Sequence, residues 1–129
     1  MGIFKHDIEP EDLKLPKFDE PLYFGGLTVK PDRIFYKKGF FSEKKMFSFQ
    51  DIDQVGWSYT KMKKHGVGVV HRMKLKIWVR SLSEPVDVSI SKWYGVYRTF
   101  RSVKEKHIQL MSIYVYIMSV RSDLSPRKI

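Results

Sequence analysis

Two adjacent phenylalanines surrounded by lysines form the first pattern in the sequence with a clear chemical use. Phe40 and Phe41 lie in the loop Gly39-Phe40-Phe41-Ser42-Glu43. Apolar rings in such a loop can enter an anionic membrane interface, where each nearby lysine adds roughly 1 kcal/mol of attraction. The same residues also suit a hairpin whose phenylalanine packs inward and whose lysines maintain solubility. The flanking lysines are Lys37, Lys38, Lys44 and Lys45.

A second cationic pattern alternates along residues 70–80. Met73, Leu75, Ile77 and Val79 occupy every second position, which predicts a strand with one buried face. The positions on the other face could follow a phosphate backbone and stack a base, with a steep salt dependence. Charge on an outward strand face also serves solubility and discourages edge pairing, which is the alternative interpretation. The residues on this face are Arg72, Lys74, Lys76, Trp78 and Arg80.

Groups suited to catalysis or metal binding are sparse. The chain has no cysteine, which excludes disulfides, thiolate metal sites and a cysteine nucleophile. The four histidines lack the spacing of common zinc motifs, and Gly66 and Gly68 lack the third glycine of a dinucleotide-binding loop. Ser81 and Ser83 have no nucleophile-elbow context. We therefore expect no enzyme activity, no cofactor, no metal and no small-molecule substrate.

The net charge of +10 is unevenly distributed over the 129 residues. Residues 1–21 hold three lysines, six acidic residues and three prolines, which predicts an acidic, irregular N-terminal arm. The remainder holds 21 lysines and arginines against eight acidic residues. A body of this kind attracts polyanions, namely an anionic membrane surface, an acidic protein or nucleic acid, unless its charge serves solubility alone.

The rest of the chain divides into strands and then a helix. Short β-rich segments separated by turns follow one another from Leu22. They include a predicted strand at Val55–Tyr59, followed by a predicted basic loop at Lys61–Gly66. Val86, Val88 and Ile90 are expected to point inward in a hairpin with residues 70–80. Apolar residues then recur at helical intervals from about Tyr94 to Arg121, with Ser91 as a candidate N-cap. We expect one folded unit at 22–121 and a frayed tail at 122–129.

The predicted helix is apolar nearly all round between residues 108 and 120. Thirteen residues are too few to span a bilayer, and a helix apolar on every side must bury more than one face. A second copy of the chain, another protein or the N-terminal arm could cover the side that the sheet leaves open. The residues expected to make this contact are Ile113, Val115, Tyr116 and Val120.

The segment from Leu27 to Gly39 contains a strand, a turn and an aromatic-basic strand ending in glycine. It continues through Lys44–Phe49 to the phrase Asp51-Ile52-Asp53-Gln54-Val55. In these segments the chain resembles the small bacterial members of the pleckstrin-homology-like superfamily. The resemblance implies a mainly β fold, in which a bent antiparallel sheet or partial barrel of six to seven strands is capped by one C-terminal helix. It also implies a binding module, since members bind phosphoinositides, peptides or proteins.

Taken together, these patterns predict a non-catalytic, cytoplasmic binding module. It would engage a partner protein or an anionic membrane surface through the basic sheet face or the hairpin, with self-association through the helix. A nucleic-acid-binding domain and a phage or accessory structural assembly protein are the alternatives. The N-terminal sequence has no apolar run like that of a secretory signal, which supports the cytoplasmic assignment.

Overall fold

The computed structural model describes residues 13–15, 20–64, 68–94, 100–127 and 129, in which seven strands are followed by one α-helix. Most of the acidic arm, His65 of the predicted basic loop and Val96 of the predicted helix lie outside the described residues. The elements are β1 (Leu22–Phe24), β2 (Leu27–Val29), β3 (Arg33–Tyr36), β4 (Lys45–Ser48), a 3-10 turn (Phe49–Asp51), β5 (Ile52–Lys64), β6 (Gly68–Val79), β7 (Val86–Tyr94) and α1 (Phe100–Val120).

The strands form two antiparallel sheets, in the orders β1-β2-β3-β4 and β5-β6-β7. The prediction of a mainly β fold with one C-terminal helix is therefore confirmed. Within the described part of the chain, the strand pairings do not close the sheets into a barrel. The connection between the sheets is the 3-10 turn, after which Ile52 begins β5.

The alternation along β6 has the predicted consequence. Met73, Leu75 and Ile77 have no exposed surface and Val79 is buried, while the residues between them face outward. On β7, Val86 and Val88 are buried and Ile90 packs against the same core. Period-2 hydrophobicity identified this sheet correctly because one of its faces is covered and the other is not.

The β5–β6 hairpin is longer than the sequence predicts. Val55–Tyr59 was the expected strand and Lys61–Gly66 the expected basic loop, but Lys61 pairs with His71 and Lys63 with Val69 inside the ladder. Lysine has low strand propensity, yet continuous pairing with β6 keeps it in the strand.

The helix begins later than predicted. Ser91, the expected N-cap, lies inside β7 opposite Arg72, and the described helix starts at Phe100. Hydrogen bonding to β6 extends β7 as far as Tyr94. Strand pairing therefore outweighs the local helical pattern from Ser91 to Tyr94.

The inner faces of both sheets and one side of α1 form a common core. Helix α1 packs against β1, β5, β6 and β7. Among the described residues, no helix is long and apolar enough to cross a membrane. The fully buried side chains at the centre include Phe24, Leu27, Ile34, Ile52, Leu110, Ile113 and Ile117.

Arg121 joins the end of α1 to the junction between the sheets. Its Nη1 donates to the carbonyl oxygens of Phe49 (2.7 Å) and Ile52 (2.8 Å). Its Nε and Nη2 donate to the carboxylate of Asp123, which lowers the pKa of that carboxyl to about 2. The guanidinium thereby satisfies backbone acceptors that a sheet-to-sheet connection leaves without a ladder partner.

Candidate functional site

The loop between β3 and β4 presents its two phenylalanines to solvent. Phe40 is 84% exposed and Phe41 is 96% exposed, and their rings meet edge to face with centroids 5.0 Å apart. The structure therefore favours the outward orientation of both rings over the inward-packing alternative. Two fully exposed adjacent phenylalanines are unusual on a protein surface that contacts only water.

The predicted lysines flank these phenylalanines along the chain. All four are exposed, and the Lys37 ammonium lies 5.8 Å from the centroid of the Phe40 ring. We call the segment Lys37–Lys45 the hairpin tip. It combines exposed aromatic surface with four cations and one acid, Glu43.

A close backbone contact with the β1–β2 turn supports the base of the hairpin tip. The Lys37 amide donates to the Gly26 carbonyl oxygen at 3.1 Å. A Cβ at Gly26 would stand 2.0 Å from the Lys37 carbonyl oxygen, so only glycine allows this approach. Gly25 has φ +59°, a conformation that favours glycine, and the pair forms the β1–β2 turn.

A cleft of about 420 Å³ lies between the hairpin tip and the β6–β7 turn. Tyr36 closes one side, where its hydroxyl donates to the Asp87 carbonyl oxygen at 3.2 Å, and burial raises the pKa of this phenol. The charges in the lining balance, which does not suit a polyanionic headgroup. The charged lining residues are Lys38, Lys45, Lys76, Glu43, Glu84 and Asp87.

The basic row, defined as Arg72, Lys74, Lys76, Trp78 and Arg80, lies on the outer face of the middle strand of its sheet. Arg72 and Arg80 are exposed, whereas Lys74, Lys76 and Trp78 are half-buried. The central position means that these cations do not protect a sheet edge. Their cross-strand neighbours are small, uncharged or acidic, namely Gly56, Ser58, Thr60, Asp87, Ser89 and Ser91.

The C-terminal tail lies on this face instead of fraying. The Trp57 amide donates to the Arg127 carbonyl oxygen at 3.4 Å, and the Ile129 amide donates to the Trp57 carbonyl oxygen at 2.7 Å, as in a parallel strand pair. The prediction of a frayed tail is thus wrong for its described residues, because the edge of β5 offers them backbone partners.

The tail also covers Trp78. The guanidinium of Arg127 lies 4.5 Å from the Trp78 ring centroid and donates to Gln54 Oε1 at 2.5 Å. The Lys76 ammonium lies 5.3 Å from the same ring. A base stacking on the side that Arg127 covers must first displace a cation that the ring already holds, which disfavours the nucleic-acid interpretation.

The helix residues expected to contact a partner lie mostly inside the chain. Ile113 has no exposed surface, so its assignment to a partner contact is wrong. Tyr116 donates from its hydroxyl to the Pro31 carbonyl oxygen at 3.0 Å and packs edge to face on Phe49. Val115 is partly buried against the core, and Val120 alone of the four is exposed.

Part of the N-terminal arm covers the helix. The Lys14 amide donates to the Ser112 hydroxyl at 2.8 Å, and Lys14 also forms an ion pair with Glu20. The described arm residues therefore satisfy a buried serine of α1, one of the roles that the sequence left open for the arm.

A buried polar contact between the three-stranded sheet and α1 was not predicted from the sequence. The Tyr59 hydroxyl lies 2.6 Å from His71 Nδ1, and the Tyr59 ring lies 4.3 Å from the His107 ring, centroid to centroid. Burial lowers the pKa of His71, with a further contribution from Lys61. The position of His71 in register with Met73 and Leu75 was the available signal that it points inward.

No family model, curated protein or solved structure matches this chain.

Proposed function

We propose that the chain is a non-catalytic binding module whose hairpin tip attaches it to the anionic cytoplasmic surface of a membrane. The observation that carries the proposal is the near-complete exposure of Phe40 and Phe41 beside four exposed lysines. The order of seven strands and a helix is compatible with the pleckstrin-homology-like resemblance, which also implies a binding module.

The energetics favour such an attachment. Moving one phenylalanine side chain from water to an apolar environment is worth about 1.5–3 kcal/mol. Each lysine near an anionic surface adds about 1 kcal/mol. Rings and cations at the hairpin tip can act together because amphipathic lysine side chains keep their ammonium groups at the headgroups while the rings enter the interface.

General attraction to negative charge is favoured over recognition of one headgroup. The cleft beside the hairpin tip has three lysines balanced by three acidic residues. The lysines at the base of the tip are therefore partly neutralised on the cleft side, whereas the exposed rings face outward.

The test is co-sedimentation with liposomes over a salt series. We expect binding to phosphatidylcholine–phosphatidylserine vesicles, weakening as salt rises, and little binding to phosphatidylcholine alone. Replacing Phe40→Ala and Phe41→Ala together should abolish sedimentation. The control variant replaces Met62→Ala and Val120→Ala, two exposed apolar residues outside the tip, and should sediment like wild type.

Three results would contradict the proposal. Equal sedimentation of the tip variant would exclude the phenylalanines as the attachment point. Competition by single-stranded DNA would move the function to nucleic acid. Absence of vesicle binding by wild type would leave a protein partner as the remaining class.

A further inference from the structure

A row of partly apolar side chains crosses all four strands of the β1–β4 sheet on its outer face. The register aligns Tyr23 with Thr28, Thr28 with Phe35, and Phe35 with Met46. Tyr23 is 56% exposed and Met46 is 58% exposed, and Phe35 and Thr28 are half-buried between them. We call these four residues the four-strand row. It lies next to the hairpin tip, which begins immediately after β3.

Cations surround the four-strand row. The ammonium groups of Lys30 and Lys44 lie 5.0 Å and 4.6 Å from the centroid of the Phe35 ring. Arg33 Nη1 lies 3.8 Å from Met46 Sδ. The ring of Phe35 thus holds two lysines that come from opposite ends of its strand, one from the β2–β3 turn and one from the hairpin tip.

We propose that the outer face of the β1–β4 sheet, and not the hairpin tip alone, lies against the anionic bilayer. This inference rests on the proposed function and gives it an orientation. Phe40 and Phe41 enter the interface, the Tyr23 ring and Met46 lie at headgroup level, and the sheet faces the lipid. A tyrosine and lysines are side chains that bilayer interfaces favour.

The lysines on Phe35 give the contact its lipid selectivity. In water, each ammonium is held weakly over the ring by a cation–π contact. At an anionic surface, lipid phosphates and carboxylates offer stronger partners, so Lys30 and Lys44 turn toward them and release the Phe35 ring to the interface. The basic and the aromatic groups of this face therefore bind the bilayer together.

Site-directed fluorescence can report the orientation, because the chain has no cysteine and a single one can be introduced. Thr28→Cys places an environment-sensitive dye in the middle of the four-strand row and retains Tyr23, Phe35 and Met46. Glu43→Cys places it at the hairpin tip and retains both phenylalanines. Ser89→Cys, exposed on the outer face of the other sheet, is the matched control.

On vesicles of equal parts phosphatidylcholine and phosphatidylserine, we expect a blue shift of the dye at positions 28 and 43 and none at 89. A shift at 43 alone would overturn the sheet-face orientation and leave the proposed function intact. A shift at 89 as well would also overturn it. Absence of any shift together with absence of sedimentation would overturn both.

An affinity measurement provides a second, independent test. Replacing Tyr23→Ser and Met46→Ser together removes two half-exposed side chains, and vesicle affinity should fall about tenfold. The Met62→Ser variant should leave it unchanged. Unchanged affinity of the double variant would contradict contact between the four-strand row and the bilayer. Binding of wild type to poly-glutamate with no binding to vesicles would also contradict it.

Discussion

The two sheets carry outer faces of similar charge and different construction. On the β1–β4 side, lysines accompany aromatic and apolar side chains that remain exposed, above all Phe40 and Phe41. On the β5–β7 side, the basic row surrounds Trp78, which the chain covers with its own Arg127. Positive charge is thus common to both faces, whereas the most exposed of the described apolar side chains, Phe40 and Phe41, belong to the first. The combination distinguishes a candidate binding surface from a solvated one.

The largest expected effect comes from the contact that supports the hairpin tip. Gly26→Ala would put a Cβ 2.0 Å from the backbone oxygen of Lys37, so the chain must shift and the free energy of unfolding should fall by about 2–3 kcal/mol. Chemical denaturation monitors this loss. Gly39→Ala is the control, since its Cβ would meet only Ser42 Oγ at 3.6 Å and should change stability by less than about 0.5 kcal/mol. Equal stability of both variants would contradict the described contact.

Removing two positive charges from one face or from the other tests which face binds anionic vesicles. Lys37→Gln with Lys44→Gln should reduce affinity for anionic vesicles about 25-fold, because each lysine contributes about 1 kcal/mol near the lipid. Arg72→Gln with Lys74→Gln removes the same charge from the basic row and should change affinity less than about twofold, since screening weakens charges beyond a Debye length of about 8 Å. Similar losses in the two variants would show that net charge alone drives binding.

A smaller effect is expected at the cover of Trp78. Arg127→Ala removes the guanidinium from the ring and should lower stability by about 0.5–1 kcal/mol. It should also make Trp78 more accessible to quenching by acrylamide. The variants Trp78→Phe and Trp78→Phe/Arg127→Ala lack Trp78 and give the signal of the other tryptophans, which is subtracted. Unchanged quenching would mean that Arg127 does not cover the ring in solution.

The buried faces of the two sheets also differ in polarity, and this difference should appear in the pH dependence of stability. The fully buried residues of β1–β4 are apolar, whereas the β5–β7 sheet buries His71 against Tyr59. Because burial lowers the pKa of His71, the unfolded chain binds its proton first, and stability should decline as pH falls below 6.5, the ordinary histidine value. Above that value both states are neutral at His71 and this contribution to stability is fully present.

Denaturation midpoints across this pH range for wild type and His71→Gln measure the effect, the smallest of the four. Glutamine has both a donor and an acceptor for a hydrogen bond with the Tyr59 hydroxyl and does not titrate, so the variant should show a weaker pH dependence. The same slope in both proteins would place the titration at another group.

Much of this arrangement could be predicted wherever the signal is local. The alternation of Met73, Leu75 and Ile77 predicted a covered strand, and Phe40 and Phe41 between lysines marked the hairpin tip. The inward orientation of His71 could be inferred only from its position two residues before Met73, on the buried face of that alternation. The prediction of Ser91 as the N-cap of the helix failed because strand pairing with distant residues outweighed the local pattern.

The features missed by the sequence analysis depend on which strands become neighbours. Tyr23, Phe35 and Met46 are separated along the chain, and only the register of three strand pairs brings them into one row. Arg127 reaches Trp78 because the tail returns to β5 after α1, a path with no local signature. Both arrangements depend on which distant segments become neighbours, and the local sequence pattern of each segment does not specify its partner.

The packing of α1 on β1 has a consequence for how the chain acquires its structure. The earliest strand finds its helical cover only after about 75 further residues have been made, and Lys14 bonds to a serine 98 positions later. Contacts this distant in sequence slow folding toward the millisecond-to-second range. During synthesis on the ribosome, Phe24 of β1 therefore lacks its helical cover until α1 emerges. Apolar surface that is exposed in this way makes a partly folded chain prone to aggregation.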